Sequence, residues 1–393
     1  MCFFFPFYIL SDYESDIIPR TLISEYVYHS YYIILVEMFV IFLTIKYFAK
    51  GNNVSIIFKK KSNPLFIFLL VSFSLGVITL FPELLINFNF VFDSSRYADP
   101  SYSFGDEEVV YGPTFGLELI KFSIIFLNLY LFEKYCWKFH SSKKKLFIFL
   151  SILSILFFTL FYIGVSRASI LLPFLSYFFI VSKFYKEFSK KILIFISIYF
   201  FILMLTLTIY KQFRTSSISE GVGDLIGPAY FSNFVNDYTS SFPSIYQGLY
   251  GFSQYDEKNY GELIANDYLS SIPLVHRFAN MDNRTSNIFN EKIAIFLNRA
   301  SFRILPMSIQ GYMHMGLLFF FIYPFLTVLL IIHFDSFFRH SKDVYTSYAF
   351  ALVSVGIGFS IGYIFTYHVI GRIFKLFLPM ILLVFVNNKK FKF

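Results

Sequence analysis

Eight of the chain's ten arginines, Arg20, Arg96, Arg167, Arg214, Arg277, Arg284, Arg299 and Arg303, fall in connections poor in lysine, whereas 18 of its 23 lysines cluster in other connections. Arginine keeps its charge and offers a planar fork of donors that grips phosphate or carboxylate oxygens in pairs, while lysine is a point charge on a flexible stem. A set of arginines segregated from the lysines therefore points to an anionic ligand. The segment from Ser271 to Tyr312 is its densest part, with Arg277, Arg284, Lys292, Arg299 and Arg303 against only Asp282 and Glu291. Arg167, in the run Gly164-Val165-Ser166-Arg167-Ala168-Ser169, and Arg372 sit at the edges of apolar segments, where a charge is costly and usually faces a bundle interior or a watery cavity. Substrate-binding candidates are thus Arg167, Arg214, Arg277, Arg284, Arg299, Arg303 and Arg372.

The elements that must position these residues are membrane spans. Of 393 residues, 56% are apolar, 23% aromatic and only 15% charged, a balance too oily for a soluble domain of this size. Runs of about 20 apolar residues, enough to cross a bilayer core, lie at Tyr26 to Phe48, Pro64 to Pro82, Thr114 to Cys136, Leu146 to Val165, Ala168 to Tyr185, Ile192 to Tyr210, Met313 to His333, Tyr345 to Tyr367 and Val369 to Val386. The expectation is an all-α polytopic membrane protein of nine to ten spans. The apolar run MCFFFPFYIL at the start is too short to span and reads as the tail of a tenth helix.

Lysine fixes the orientation. Lys46 to Lys61, Lys134 to Lys145, Lys183 to Lys191, the connection with Arg339 and Lys342, and the tail with Lys389, Lys390 and Lys392 all fall on one side when spans alternate, which makes that side cytoplasmic. The opposite connections are acidic or arginine-bearing. The longest, Lys211 to Tyr312, is an outer loop or cap between spans six and seven. Residues 1–210 form an N-terminal bundle, 211–312 the cap and 313–393 a C-terminal bundle.

Several polar groups lie within the spans: Glu37, Glu118, Lys121, His314, His368 and Lys375. Glu118 and Lys121 are three apart on one helix face and read as a structural pair. Gly358 and Gly362 read as a helix-packing notch. Cys2 and Cys136 support neither a disulfide framework nor a thiolate metal site. With no Walker A loop, no H-E-x-x-H and no G-x-S-x-G, the parts for ATP-driven transport, zinc proteolysis and serine hydrolysis are missing.

The layout resembles the Wzy-type O-antigen or oligosaccharide repeat-unit polymerases of bacterial envelopes. The resemblance rests on the span count, the long outer loop in the second half, the Ser166-Arg167-Ala168-Ser169 junction and the run Gln310-Gly311-Tyr312-Met313-His314-Met315-Gly316. Members often carry an arginine followed by a glycine eleven positions later; here Arg299 and Gly311 are twelve apart. The resemblance implies transfer of a growing glycan from undecaprenyl diphosphate to the next lipid-linked repeat unit, on the outer face of the bacterial inner membrane. It implies no metal or other cofactor, a chain-length regulator as protein partner and no nucleic acid. In that chemistry the arginines would neutralise the departing diphosphate, and His276, Asp267 or Glu262 would take the proton of the attacking sugar hydroxyl. Tyr246, Tyr250, Phe252 and Tyr255 are candidates to stack on sugar faces, with ordinary packing as the competing reading. Three other readings stay open: an O-antigen ligase, a polyprenyl-phosphate-sugar glycosyltransferase with a base among Asp12, Glu14 and Asp16, and a flippase for the same lipid-linked sugar.

Overall fold

The computed structural model describes residues 24–49, 58–59, 62–90, 114–163, 167–188, 190–199, 201–202, 241–253, 260–272, 275–280, 284–289, 306–360, 370–371 and 373–388. These are overwhelmingly helical. In chain order the helices are α1 (Ser24–Phe48), α2 (Pro64–Leu80), α3 (Thr114–Ser142), α4 (Leu146–Leu160), α5 (Arg167–Phe184), α6 (190–199), α7 (Ser241–Ser253), α8 (Tyr260–Ser271), the single turn α9 (Thr285–Asn287), α10 (Met307–Phe319), α11 (Ile322–His340), α12 (Val344–Ser360) and α13 (Leu378–Asn388). Among the described residues, two helices are long and apolar enough to cross a bilayer, Tyr28–Phe48 and Ile322–His340, and five shorter apolar helices accompany them. One departure from an all-helical chain is a small antiparallel ribbon, in which β1 (Phe88–Phe90) pairs with β2 (Phe161–Ile163).

The chain divides into two compact units. The first comprises residues 1–51, 219–333 and 356–376, and the second 52–218, 334–355 and 377–393. Helix α1 thus groups with α7, α8 and α10.

Local sequence explains the helix ends in the second unit. The Asn63 side chain accepts hydrogen bonds from the Leu65 and Phe66 N–H groups while Pro64 occupies the first helical position, a standard start for α2. The Ser74 and Ser123 hydroxyls meet between α2 and α3, where small side chains let the helices approach. The lysine-rich connections are knitted together. Lys59 N–H donates to Lys342 O at 3.0 Å, Ser62 N–H to Glu133 Oε2 at 3.0 Å, and Asn63 N–H to Asn387 Oδ1 at 3.1 Å. Lys183 Nζ, on the last turn of α5, donates to Ser341 O at 2.7 Å, Ser341 Oγ at 2.8 Å, Ser347 Oγ at 3.0 Å and Phe338 O. The Glu118–Lys121 pair forms as expected, at 3.0 Å.

In the first unit, α1 buries Ile33 and Ile34 while Leu35, Phe39 and Phe42 lie exposed, an apolar face that hydrocarbon tolerates and water does not. The buried side packs with Ile245, Leu249 and Phe252 of α7, Leu263 of α8, and Ile309 and Met313 of α10. The seventh apolar run, expected as one span from Met313 to His333, is instead broken. Gly316 has φ +73° and ψ −177°, a conformation that only glycine adopts without strain. Beyond the break the chain re-enters as α11, and a Cβ built on Gly311 would lie 2.5 Å from the Phe320 carbonyl oxygen. Gly311 of α10 therefore lies against the backbone of Phe320, in the turn before α11. The Thr327 hydroxyl donates to Met307 Sδ at 2.9 Å farther along the hairpin, and the Ser308 hydroxyl donates to the Glu37 carboxylate of α1.

Candidate functional site

Helix α8 buries Leu263, Asn266, Asp267 and Ser271, the spacing of a single helix face. A carboxylate on that face must find partners inside the protein, and Asp267, 2% exposed, has two. Its Oδ1 accepts the Thr285 N–H at 2.9 Å, one of the N–H groups that a helix start leaves free. Its Oδ2 lies 3.0 Å from His314 Nε2, on the broken helix α10. On the same face of α8, Asn266 Oδ1 accepts the Asn280 N–H at 3.0 Å.

The His314 ring is saturated. Nε2 also lies 2.8 Å from Thr285 Oγ1, and Nδ1 lies 2.5 Å from the Tyr323 hydroxyl at the start of α11. An ionised carboxylate only accepts, so Asp267 assigns the proton to Nε2. In the neutral ring Nδ1 is then the acceptor, and Tyr323 donates to it. The Tyr323 oxygen in turn accepts from the Tyr268 hydroxyl at 3.2 Å. One hydrogen-bonded line thus runs from Tyr268 through Tyr323 and His314 to Asp267. Burial pushes the Tyr268 phenol up from its ordinary range, so it holds its proton at neutral pH.

The expected site residues distribute unevenly around this line. Asp267 lies within it. Glu262 is half-buried in the first turn of the same helix, five residues earlier, which is about 140° around the axis. His276 and Arg277 share the short turn Val275–Phe278; the Arg277 side chain is exposed, and that of His276 is outside the described residues. Arg284 precedes Thr285 directly, is half-buried and donates to Asn287 Oδ1 at 3.4 Å. Arg167 begins α5 in the other unit, its side chain outside the described set. Arg214, Arg299, Arg303 and Arg372 lie outside the described residues. A Cβ on Gly371, beside Arg372, would sit 3.4 Å from the Ser271 carbonyl at the end of α8.

Of the aromatics, Phe252 is 1% exposed and packs edge-on against Tyr260 and Tyr312, while Tyr250 meets Tyr26. Phe252 is therefore core rather than a sugar platform. Tyr255 and the Tyr246 side chain lie outside the described set.

Sequence reasoning singled out His314 as an intramembrane polar group without joining it to Asp267, 47 residues away, and passed over Thr285, Tyr268 and Tyr323. Only the run Gln310 to Gly316 carried a signal, since its two glycines make the hairpin that delivers His314. Among the described residues no three His, Cys, Asp or Glu side chains gather as a metal site would require. Comparison of the chain with protein-family models, curated proteins and solved structures finds no match.

Proposed function

We propose that this protein is a glycosyltransferase of the bacterial cytoplasmic membrane that joins undecaprenyl-diphosphate-linked oligosaccharide repeat units into an O-antigen or capsular-type polysaccharide. In this reading nine or ten helices span the membrane, and the long segment 211–312 faces outward. The sidedness is supported by the bonds among the lysine-bearing connections, and by the ribbon β1–β2, which pairs the acidic connection after the second apolar run with the end of the fourth run that lies away from the lysines.

The buried Asp267–His314 pair is the observation that carries the proposal, because it joins the outer segment to the broken helix. Transfer from a glycosyl diphosphate already has a good leaving group. What remains is to hold the diphosphate, orient the acceptor hydroxyl and accept its proton. Arg284, next to Thr285, and Arg277, in the turn Val275–Phe278, are candidates for the first task, with Arg299, Arg303 and Arg372 of the same unit. A neutral imidazole backed by a carboxylate suits the last. The partners are the lipid-linked oligosaccharide, the bilayer and a chain-length regulator.

Deleting the gene in its host and separating the surface glycan by size tests this reading. Loss of the polymer ladder with a single repeat unit retained supports it. Total loss of repeat units would indicate a flippase or ligase instead, and an unchanged ladder would sink the proposal.

A further inference from the structure

We propose that Tyr268 is the residue that meets the acceptor sugar, and that it passes the sugar's proton through Tyr323 to His314. The inference rests on the glycosyl-transfer reading above and goes beyond it by naming the group that touches substrate.

Accessibility makes the argument. The side chains of His314 and Asp267 are 0% and 3% exposed, both ring nitrogens are occupied, and Tyr323 is 5% exposed. A sugar hydroxyl cannot reach any of them in this arrangement. Tyr268 is the half-buried end of the hydrogen-bonded line, and its hydroxyl is already turned inward as a donor to Tyr323. Each hydroxyl therefore has a proton to give inward and a lone pair to receive one from outside. The bond is long at 3.2 Å, as catalytic hydrogen bonds often are before substrate tightens them.

The step balances without any further reactant. The acceptor oxygen bonds to the anomeric carbon as the carbon–oxygen bond to the diphosphate breaks, and that bonding pair leaves with the diphosphate. The acceptor's proton moves to the Tyr268 oxygen, the Tyr268 proton to the Tyr323 oxygen, and the Tyr323 proton to His314 Nδ1. The resulting imidazolium is paired with Asp267, and both tyrosines end as they began.

The test uses the full chain in lipid vesicles with a lipid-linked repeat unit as both donor and acceptor. Tyr268→Phe and Tyr323→Phe are each expected to lower kcat on the order of 10²–10⁴-fold, with KM within about threefold and thermal unfolding unchanged. The double variant should be no worse than either single one, because a relay is broken only once. Solvent deuterium should slow the parent with a curved dependence on deuterium fraction, and the residual turnover of Tyr268→Phe should lose that curvature. Tyr323→Phe cuts the line at a buried bond and gives an independent reading if Tyr268→Phe folds poorly. Full kcat in Tyr268→Phe, or multiplicative losses in the double variant, would overturn the relay while leaving the polymerase reading intact. A parent chain that makes no polymer would overturn both.

Discussion

A Cβ added to Gly311 would lie 2.5 Å from the carbonyl oxygen of Phe320, closer than any real pair of such atoms. The contact is backbone to backbone, so no side chain can swing away to relieve it. It holds the turn before α11 against α10, which sets where His314 and Tyr323 meet.

Gly311→Ala should therefore lower thermal stability in detergent by about 1–3 kcal/mol, the range for overpacking a filled site, and weaken turnover. Gly316→Ala has room for a methyl but needs a backbone conformation closed to alanine, and should cost about 1–3 kcal/mol. Gly76, inside α2 with nothing within 4 Å of an added Cβ, is the control. Its alanine variant should match or exceed the parent's stability.

Asp267 and His314 should behave as one unit. Removing either leaves a buried polar partner, so Asp267→Ala and His314→Ala should each destabilise the fold. In a double-mutant cycle the two should couple by about 0.5–3 kcal/mol. Additive losses would mean that the 3.0 Å approach contributes nothing.

Lys183 is 6% exposed and gives its ammonium to acceptors on three residues at the end of α11 and the start of α12. Lys183→Met keeps much of the stem and removes the charge, which should cost about 1.5–3 kcal/mol per lost charged bond at most. Asp335→Asn, breaking the half-exposed pair with Arg339, should change stability by less than about 1 kcal/mol. Equal effects would contradict the difference in burial.

Orientation is testable by cysteine labelling, since Cys136 is fully buried and should stay silent. In a Cys2→Ser background, Lys144→Cys should react only from the cytoplasmic side and Phe278→Cys only from the outer side. Labelling of both from one side would refute the proposed topology.

Helix positions were legible in the chain because hydrophobic length is a local property. Pro64 and Asn63 announce α2, and Glu118 with Lys121 needed only helical geometry to pair. The helix break was written in Gly316 but hidden, since a glycine within an apolar run is equally at home in an unbroken span. Tertiary structure alone decided that Asp267, Tyr268, His314 and Tyr323, the first and last 56 positions apart, share one hydrogen-bonded line. Burial drives that outcome: once α8 and α10 pack together, each polar group there must find a partner inside the protein, and composition cannot say which.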